Sequence, residues 1–265
     1  MTSKLGTALV TGASSGIGAT YADRLASRGY DLILVARDAE RLGQLAEKLR
    51  TTYGVGTDIL RADLSERADV LKVEDRLRQD EAITLFVNNA GIGPVTSLLE
   101  SDVDYLETMV ALNVTAANRL AVAAAQTFAK RSAGAIINTA SVVALAPQMF
   151  NGTYSATKAF VLSLTESLAA ELNGKNVRIQ AVLPGLTRTE IFDRVGRSFD
   201  DLDQEKVMDV GDLVDAALAG FDQGEVVTIP ALADDGIWNA YLAARGALGP
   251  HLSLRKPAAR YGVGS

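Results

Sequence analysis

Cysteine is absent from the chain, and histidine occurs once, at His251. The lack of cysteine excludes disulfides, thiolate nucleophiles and iron–sulfur ligation, and it fits a reducing compartment. A single histidine supplies too few ligands for a histidine-based zinc site and makes a Ser-His-Asp triad difficult to build. From these missing side chains we expect no metal site and no hydrolytic triad.

Long hydrophobic runs and an excess of positive charge are lacking as well. No uninterrupted apolar segment reaches the ~20 residues needed to cross a bilayer, and residues 1–4 show no signal-peptide pattern. The formal net charge of -6 argues against a nucleic-acid partner. A mildly basic tail, with His251, Arg255, Lys256 and Arg260, is interpreted as solvated. We therefore expect a soluble cytoplasmic protein with no membrane span and no nucleic-acid partner.

Short apolar segments alternate with longer segments of helical period along the 265 residues. Buried strands are predicted at 7–11, 31–36, 83–88, 135–140, 177–183 and 226–229, and helices at 18–28, 40–51, 67–79, 103–130, 155–173 and 212–221. Such alternation is typical of right-handed βαβ units. The predicted fold is α/β, with a doubly wound, Rossmann-type parallel sheet and helices on both faces.

Neither a repeat nor a shift in composition marks a domain boundary, and the length suits one large α/β domain. We expect a single domain over 1–265. Within it, 1–140 would mainly bind a cofactor, 141–230 would carry the catalytic residues and a substrate loop, and 231–265 would form a C-terminal helix and tail.

A glycine-rich turn joins the first predicted strand to the first helix, with Gly12, Gly16 and Gly18 spaced G-x-x-x-G-x-G. The first glycine permits a tight turn, the second lets the backbone approach a pyrophosphate, and the third lets the helix pack closely on the strand. The helix N-terminus then offers free N–H groups and a partial positive charge to phosphates. The alternative is a glycine turn that binds no ligand.

The end of the second predicted strand bears on the choice of dinucleotide. An NAD-binding fold usually places Asp or Glu there to bind the ribose hydroxyls, whereas this strand ends with Ala36 and Arg37. A guanidinium can bind a 2′-phosphate through two hydrogen bonds, and the hydroxyls of Ser14 and Ser15 would add donors. We therefore expect NADP. The alternative is that Arg37 merely caps a surface loop.

Tyr154 and Lys158 are four residues apart, which places them on one face of a helix. Ser141 follows a predicted strand, at the sheet edge where ligands bind, and Asn113 lies midway along a predicted helix. Taken singly, each residue has an ordinary structural interpretation. Asn113 fits a buried polar group, Ser141 fits a strand-end cap, and Asp63 fits the start of a helix.

Taken together, these residues resemble the short-chain dehydrogenase/reductase family over nearly the whole chain. The matching motifs occur in family order and spacing: Thr11-Gly12-x-x-x-Gly16-Ile17-Gly18, Asp63, Asn88-Asn89-Ala90-Gly91, Asn113, Ser141, Tyr154-x-x-x-Lys158 and Pro184-Gly185-x-Thr187. The resemblance is to the single-domain, NADP-preferring branch. It implies a sheet of about seven strands with the substrate site at the carboxyl ends of the strands.

The resemblance also implies roles for individual residues. Ser141 would hydrogen-bond the substrate oxygen, Tyr154 would exchange a proton with it, Lys158 would bind the nicotinamide ribose, and Asn113 would anchor a water that links Lys158 to solvent. These four would form the catalytic tetrad. The implied cofactor contacts are Gly12, Ser14, Ser15, Gly16, Ile17, Gly18, Arg37, Asp63, Leu64, Asn89, Ala90, Gly91, Tyr154, Lys158, Pro184, Gly185 and Thr187.

An electrostatic argument accompanies the Tyr154 and Lys158 pair. A free tyrosine has a pKa near ~10, too high for efficient acid/base work at neutral pH. A cation roughly 4 Å away, at an effective dielectric constant of about 20, would favour the phenolate by ~4 kcal/mol. We therefore expect Lys158 to lower the pKa of Tyr154 towards ~7.

These observations predict an NADP(H)-dependent oxidoreductase that moves a hydride between nicotinamide and the carbonyl or secondary alcohol of a small molecule. The apolar segment 142–150 and Phe192 indicate an apolar substrate, unless they only pack an ordinary loop. One alternative is a catalytically silent NADP-binding sensor or scaffold. Another is a nucleotide-sugar epimerase, which usually needs a larger C-terminal substrate domain.

The helices predicted at 103–130 and 155–173 carry more apolar positions than a single sheet-facing stripe requires. We expect them to form the contact of a homodimer or homotetramer, as the family resemblance also implies. Many tetrameric members carry Asp-Gly-Gly after the last strand, whereas Ile229 and Pro230 end this one without it.

Overall fold

In a computed structural model that describes residues 5–188 and 203–263, seven parallel strands form one sheet. The main elements in chain order are β1 (Thr7–Thr11), α1 (Gly16–Ser27), β2 (Asp31–Ala36), α2 (Ala39–Tyr53), β3 (Thr57–Arg61), α3 (Arg67–Gln79), β4 (Ile83–Asn88), α4 (Val103–Val110), α5 (Ala117–Arg131), β5 (Gly134–Thr139), α6 (Gly152–Glu171), β6 (Val177–Val182), α7 (Val210–Gln223), β7 (Val227–Thr228) and α8 (Asp235–Ala247).

The strands lie in the order β3-β2-β1-β4-β5-β6-β7, and every neighbouring pair is parallel. The chain therefore winds outward in one direction from β1 to β3 and in the other from β4 to β7. The direction reverses between β1 and β4, which opens a crevice at the carboxyl ends of these strands where doubly wound sheets bind ligands. This architecture confirms the predicted fold class.

The central strands bury apolar residues on both faces, which explains why their sequences are nearly continuous hydrophobic runs. Val10 and Leu34 pack on one face against α1, α2 and α7, where Tyr21, Leu42 and Phe221 are buried. The next residue along each strand faces the opposite way, and that second layer holds α3, α5 and α6. Burial of each large apolar side chain contributes about 1.5–3 kcal/mol, so both layers stabilise the sheet edge that carries the site.

Three elements differ from the sequence-based expectations. Strand β3 was not predicted, because it lies at the sheet edge and none of its five residues is buried. Helix α6 begins at Gly152, three residues before the predicted start. Between α4 and α5, residues Ala111–Ala116 form a π-helical turn inside an otherwise continuous helix.

The helical segment Val103–Arg131 is long and apolar enough to cross a membrane when judged by length and composition alone. Its most apolar stretch has a mean hydropathy of 1.2, and half of that stretch is buried inside the protein. Polar side chains interrupt it, which is why no continuous apolar run marks it in the sequence. The core helices of water-soluble proteins have the same properties, so the segment is weak evidence for a span.

The chain divides into two compact units, Met1–Pro230 and Ala231–Ser265. The second unit contains α8, whose residues all retain solvent exposure. Asp234 caps the N-terminus of this helix by accepting a hydrogen bond from the Gly236 amide at 2.8 Å. On the helix itself, the rings of Trp238 and Tyr241 stack with their centroids 5.1 Å apart.

Candidate active site

The glycine turn after β1 is packed too tightly for side chains at two of its positions. Gly12 has a φ of +67°, in the region that favours glycine. A Cβ at Gly18 would lie 2.2 Å from the Gly12 carbonyl oxygen and 2.6 Å from Nδ2 of Asn89. The start of α1 therefore rests directly on the turn and on the end of β4, as the motif predicts.

The N-terminus of α1 is suited to bind an anion. Ser15 precedes the helix in an extended conformation and makes no side-chain capping bond, and the first turn contains no acidic residue. The first amides of a helix, here those of Gly16, Ile17 and Gly18, have no acceptor within the helix. They carry the positive end of the helix dipole, and half-buried Ser14 lies in the same turn.

Buried Thr11 joins the ends of β1 and β4. Its hydroxyl donates to the Val87 carbonyl at 3.3 Å and accepts from the amides of Asn89, at 2.9 Å, and Ala90, at 3.1 Å. The Asn89 side chain returns a bond to the Thr11 carbonyl at 3.1 Å. The predicted segment Asn89, Ala90 and Gly91 is thereby fixed beside the glycine turn.

Arg37 and Asp63 lie next to each other, although the sequence suggested separate roles. Their side chains approach to 3.6 Å, and the arginine retains 64% of its side-chain exposure. Partial burial raises the pKa of Asp63, but hydrogen bonds from the Ser65 hydroxyl and amide, together with the positive charge of Arg37, outweigh it, so the pKa is lowered. Arg61 donates to the Arg37 carbonyl at 3.2 Å, and Leu64 is buried behind this edge.

Ser141, Tyr154 and Lys158 come together at the carboxyl end of β5. The Ser141 hydroxyl lies near the Tyr154 phenol and donates to the Pro184 carbonyl at 3.2 Å. Lys158 donates to the Thr139 carbonyl at 3.0 Å, and its Nζ lies 5.8 Å from the centre of the Tyr154 ring. Two strand ends and one turn of α6 thus position all three side chains.

The expected lowering of the Tyr154 pKa is wrong for the chain by itself. Burial raises the pKa of Tyr154 to about 12, and the nearby Ser141 hydroxyl opposes this rise only in part. Burial also lowers the pKa of Lys158 to about 8. The ammonium group of Lys158 bonds to the Thr139 carbonyl. The cost of removing the phenol and the ammonium group from water outweighs the attraction between their charged forms. At neutral pH the phenol therefore keeps its proton.

Asn113 lies in the π-helical turn and is buried. Its side chain accepts from the Ile92 amide and donates to the Ile92 carbonyl, both at 2.9 Å, and it donates to Thr157 at 3.3 Å. A Cβ at Gly91 would lie 3.0 Å from Oδ1 of Asn113 and 3.6 Å from Nζ of Lys158. The amide and the ammonium group therefore flank the same glycine.

Two buried residues near Tyr154 were not singled out from the sequence. Thr157 donates to the Tyr154 carbonyl at 2.7 Å and links it to Asn113. Asn151 caps α6 by accepting from the amides of Thr153, at 3.1 Å, and Tyr154, at 3.3 Å. Asparagine is a common capping residue, so its place three residues before the tyrosine could have indicated the start of the helix. The helix was instead predicted to begin at residue 155, beyond this cap.

The residues after β6 close the far side of the site. The Pro184 carbonyl accepts from the Val142 amide at 3.0 Å, and Gly185 follows it. Thr187 is buried, donates to the Gly185 carbonyl at 3.1 Å and forms an isolated parallel bridge with Met208. Phe192, which was expected to contact substrate, lies outside the described residues.

With this geometry in place, comparison with known proteins identifies the family. Residues 6–198 match the short chain dehydrogenase family. The chain belongs to this family. It is therefore a short-chain oxidoreductase, and the predicted family resemblance is confirmed.

Three proteins illustrate the range of relatives of this short-chain dehydrogenase. A short-chain dehydrogenase from Sphingobium yanoikuyae, solved in complex with NADPH, is 47% identical, with a TM-score of 0.93 over 97% of this chain and 100% of that chain. A bulky-bulky ketone specific alcohol dehydrogenase from Comamonas testosteroni is 45% identical, with a TM-score of 0.90 over 98% and 99%. A very-long-chain 3-oxoacyl-CoA reductase from Anas platyrhynchos is 34% identical over 200 residues, which span 73% of this chain and 63% of the relative.

Proposed function

We propose that the protein is an NADP(H)-dependent oxidoreductase that interconverts ketones and secondary alcohols. The observation that carries the proposal is the grouping of Ser141, Tyr154 and Lys158, with Lys158 bonded to the Thr139 carbonyl at 3.0 Å. A protein that only binds a dinucleotide has no need for a phenol placed beside a buried serine hydroxyl and a buried lysine. The silent sensor or scaffold is therefore the weaker alternative.

The residues at the carboxyl ends of β1 and β2 fit NADP. Gly12 and Gly18 bring no side chain into the turn, and an added Cβ at Gly18 would strike the Gly12 backbone. The start of α1, which has no side-chain cap, can receive a pyrophosphate. Ala36 stands where a carboxylate would repel a 2′-phosphate, and Arg37 is exposed beside it. When bound, the reduced nicotinamide supplies the hydride.

In this proposal the residues of the chain orient the substrate and move the proton. Ser141 and Tyr154 both hydrogen-bond the carbonyl oxygen and so polarise the carbonyl. Tyr154 donates its proton to that oxygen during reduction. Burial raises the pKa of the phenol to about 12, so the phenol carries this proton at neutral pH. Lys158 holds a positive charge near the phenol and the nicotinamide ribose. Asn113 keeps the loop after β4 in place through Ile92.

An apolar substrate is supported by the surface around Tyr154. Val95 and Leu98, in the loop after β4, are each 44% exposed, and Phe150, just before α6, is 43% exposed. Leu98 reaches α6 itself, since a Cβ at Gly152 would lie 3.1 Å from its side chain. The name of the Comamonas relative, specific for ketones with two bulky substituents, points in the same direction.

The experiment that tests this function follows NADPH absorbance with a panel of carbonyl compounds. Butyl phenyl ketone, cyclohexanone and a free ketohexose would sample bulky apolar, small apolar and polar substrates. We expect the bulky ketone to be turned over with the highest kcat/KM and the sugar with the lowest. NADPH binding without turnover of any panel member would favour the sensor or scaffold instead.

A homodimer or homotetramer that pairs through α4, α5 and α6 also remains a proposal. Val103 is 74% exposed, Val110 is 41% exposed and Phe160 is 37% exposed, so α4 and α6 keep apolar side chains in water. Light scattering at micromolar concentration should give at least twice the mass of one chain. A Phe160→Glu variant should shift that mass towards the monomer, and a wild-type monomer would contradict the proposal.

A further inference from the structure

Asn151 makes more polar contacts than a helix cap requires. Its Oδ1 accepts from the amides of Thr153 and Tyr154 in the first turn of α6. Its Nδ2 points away from the helix and donates to the Thr96 carbonyl at 3.2 Å and to the Ser101 hydroxyl at 3.1 Å. Asn151 is only 7% exposed, so the amide group itself is buried and its four bonds are partly shielded from water.

The Nδ2 contacts lie in the loop between β4 and α4. This loop leaves the cofactor side of the site at Gly91, and its middle carries the short helical turn Leu98–Glu100. Leu98 packs over Gly152, close enough that a Cβ there would lie 3.1 Å from it. The loop therefore covers the end of α6 that carries Tyr154.

Other contacts of the loop are local or lie at its ends. Ser101 bonds to the Ser97 carbonyl at 2.7 Å and to Thr96 at 3.2 Å, both within the loop. Tyr105, on α4, donates to the Gly93 carbonyl at 2.7 Å, near the start of the loop. Among the polar contacts of the described residues, Asn151 provides the connection between residues 96–101 and the tyrosine helix.

We infer that Asn151 is a positioning residue with two separable tasks, one for each end of its amide group. The oxygen fixes the first turn of α6 and with it Tyr154, whereas the nitrogen holds the substrate-side loop against that turn. The inference rests on the proposed function in one respect, that the loop contacts substrate. The nitrogen then determines how well a bulky ketone is held, and the oxygen determines how well the proton donor is aligned.

Asn151→Ser separates the two tasks, because a serine hydroxyl can cap the helix but is too short to reach the loop. Asn151→Ala removes both tasks, and Ser101→Ala removes one acceptor of the loop contact while leaving the cap. Asp234→Ala is the matched control, since it removes a side-chain cap from α8 in the second unit. All variants are made in the full-length chain.

The first readout is hydrogen exchange, which needs neither cofactor nor substrate. In Asn151→Ser we expect amides of residues 96–102 to exchange about 5- to 10-fold faster, as the loss of buried hydrogen bonds implies. Exchange in the first turn of α6 should stay near the wild-type rate in this variant and rise in Asn151→Ala. Unchanged loop exchange in Asn151→Ser would overturn the inference.

The second readout separates KM from kcat for butyl phenyl ketone at saturating NADPH. Asn151→Ser should raise KM about 3- to 10-fold and change kcat less than about 2-fold, whereas Asn151→Ala should also lower kcat. Ser101→Ala should raise KM less, and its effect should largely vanish in the Asn151→Ser background. An equal loss of kcat in the Ser and Ala variants would overturn the division of tasks.

Melting temperature and NADPH affinity control for general damage. Asn151→Ser and Asp234→Ala should bind NADPH within about 2-fold of the wild type, because neither residue belongs to the glycine turn. If the wild-type protein reduces no ketone, the proposed function fails, whereas hydrogen exchange still decides whether Asn151 holds the loop. Should Asn151→Ala not fold, Asn151→Ser and Ser101→Ala carry the test.

Discussion

The glycine turn after β1 and the first turn of α6 lie at the same edge of the sheet, but different interactions fix them. The turn is set by close backbone packing, with Gly18 against the Gly12 carbonyl and Asn89. The start of α6 is set by side chains from distant parts of the chain, with Asn151 bonded to Thr96 and Ser101 some fifty residues earlier.

This difference affects how each side responds to change. A backbone turn that only glycine fits has few alternatives, and an added methyl group damages it directly. Hydrogen bonds between side chains can be lost one at a time, each at a net cost of about 0.5–1.5 kcal/mol. We therefore expect the cofactor side to be intolerant of substitution and the substrate side to be adjustable, which suits a fold that serves many substrates.

The largest expected effect belongs to the proton donor on the substrate side. Tyr154→Phe removes the hydroxyl and keeps the ring, so ketone reduction should fall about 1,000-fold, within the range for a lost general acid. NADPH affinity should stay within about 2-fold, because the phenol is proposed to act on substrate. Stopped-flow reduction and NADPH fluorescence titration measure the two quantities. Retention of most of the wild-type rate would remove Tyr154 from the mechanism.

The next effect tests the rigidity of the cofactor side. Gly18→Ala places a Cβ 2.2 Å from the Gly12 carbonyl oxygen, so the turn must move. NADPH affinity should fall about 10- to 100-fold, as an overpacking cost of ~1–3 kcal/mol implies. Gly43→Ala is the control, since nothing lies within 4 Å of its added Cβ and alanine favours the helix. Wild-type NADPH affinity in Gly18→Ala would show that the turn is adjustable after all.

A smaller effect is expected at the exposed edge of the cofactor side. Arg37→Ala should lower the preference for NADPH over NADH about 10-fold, the lower end for a charge-assisted contact at an exposed position. The ratio of kcat/KM values for the two cofactors measures it. Arg50→Ala, which removes an arginine paired with Glu47 on the surface of α2, should leave the ratio unchanged. Equal use of NADH and NADPH by the wild type would make Arg37 a surface residue only.

The smallest expected effect is a pH dependence of ketone reduction. It arises from Lys158, which is proposed to act on both the cofactor side and the substrate side of the site. Burial lowers the pKa of Lys158 to about 8 and raises that of Tyr154 to about 12. As pH rises from 7 to 8.5, the lysine loses its charge while the phenol keeps its proton. The kcat/KM for ketone reduction should therefore fall about 4-fold over this range, if only the charged lysine supports the reaction. A flat profile up to pH 10 would show that the charge of Lys158 is not needed.

Much of the architecture follows from the sequence because its signals are local. Apolar runs, glycine spacing and helical period predict the parallel α/β sheet, and the Tyr154 to Lys158 spacing predicts a shared helix face. The edge strand β3 was not predicted, because a strand with little burial lacks the apolar run on which the prediction depends. The π-helical turn at Ala111–Ala116 was not predicted either, and it carries Asn113, which bonds to Ile92 across the site.

What the sequence by itself determined is the family, the sheet and the identity of the residues proposed to act on cofactor and substrate. The tertiary structure decided their electrostatics and their mutual support. Burial sets the pKa values of Tyr154 and Lys158 against the trend expected from their charges alone, and burial is not encoded in spacing. The link from Asn151 to Ser101 exists only once the loop after β4 folds over α6. Hydrogen bonds between side chains fifty residues apart are specified by packing of the whole chain, and no local pattern records them.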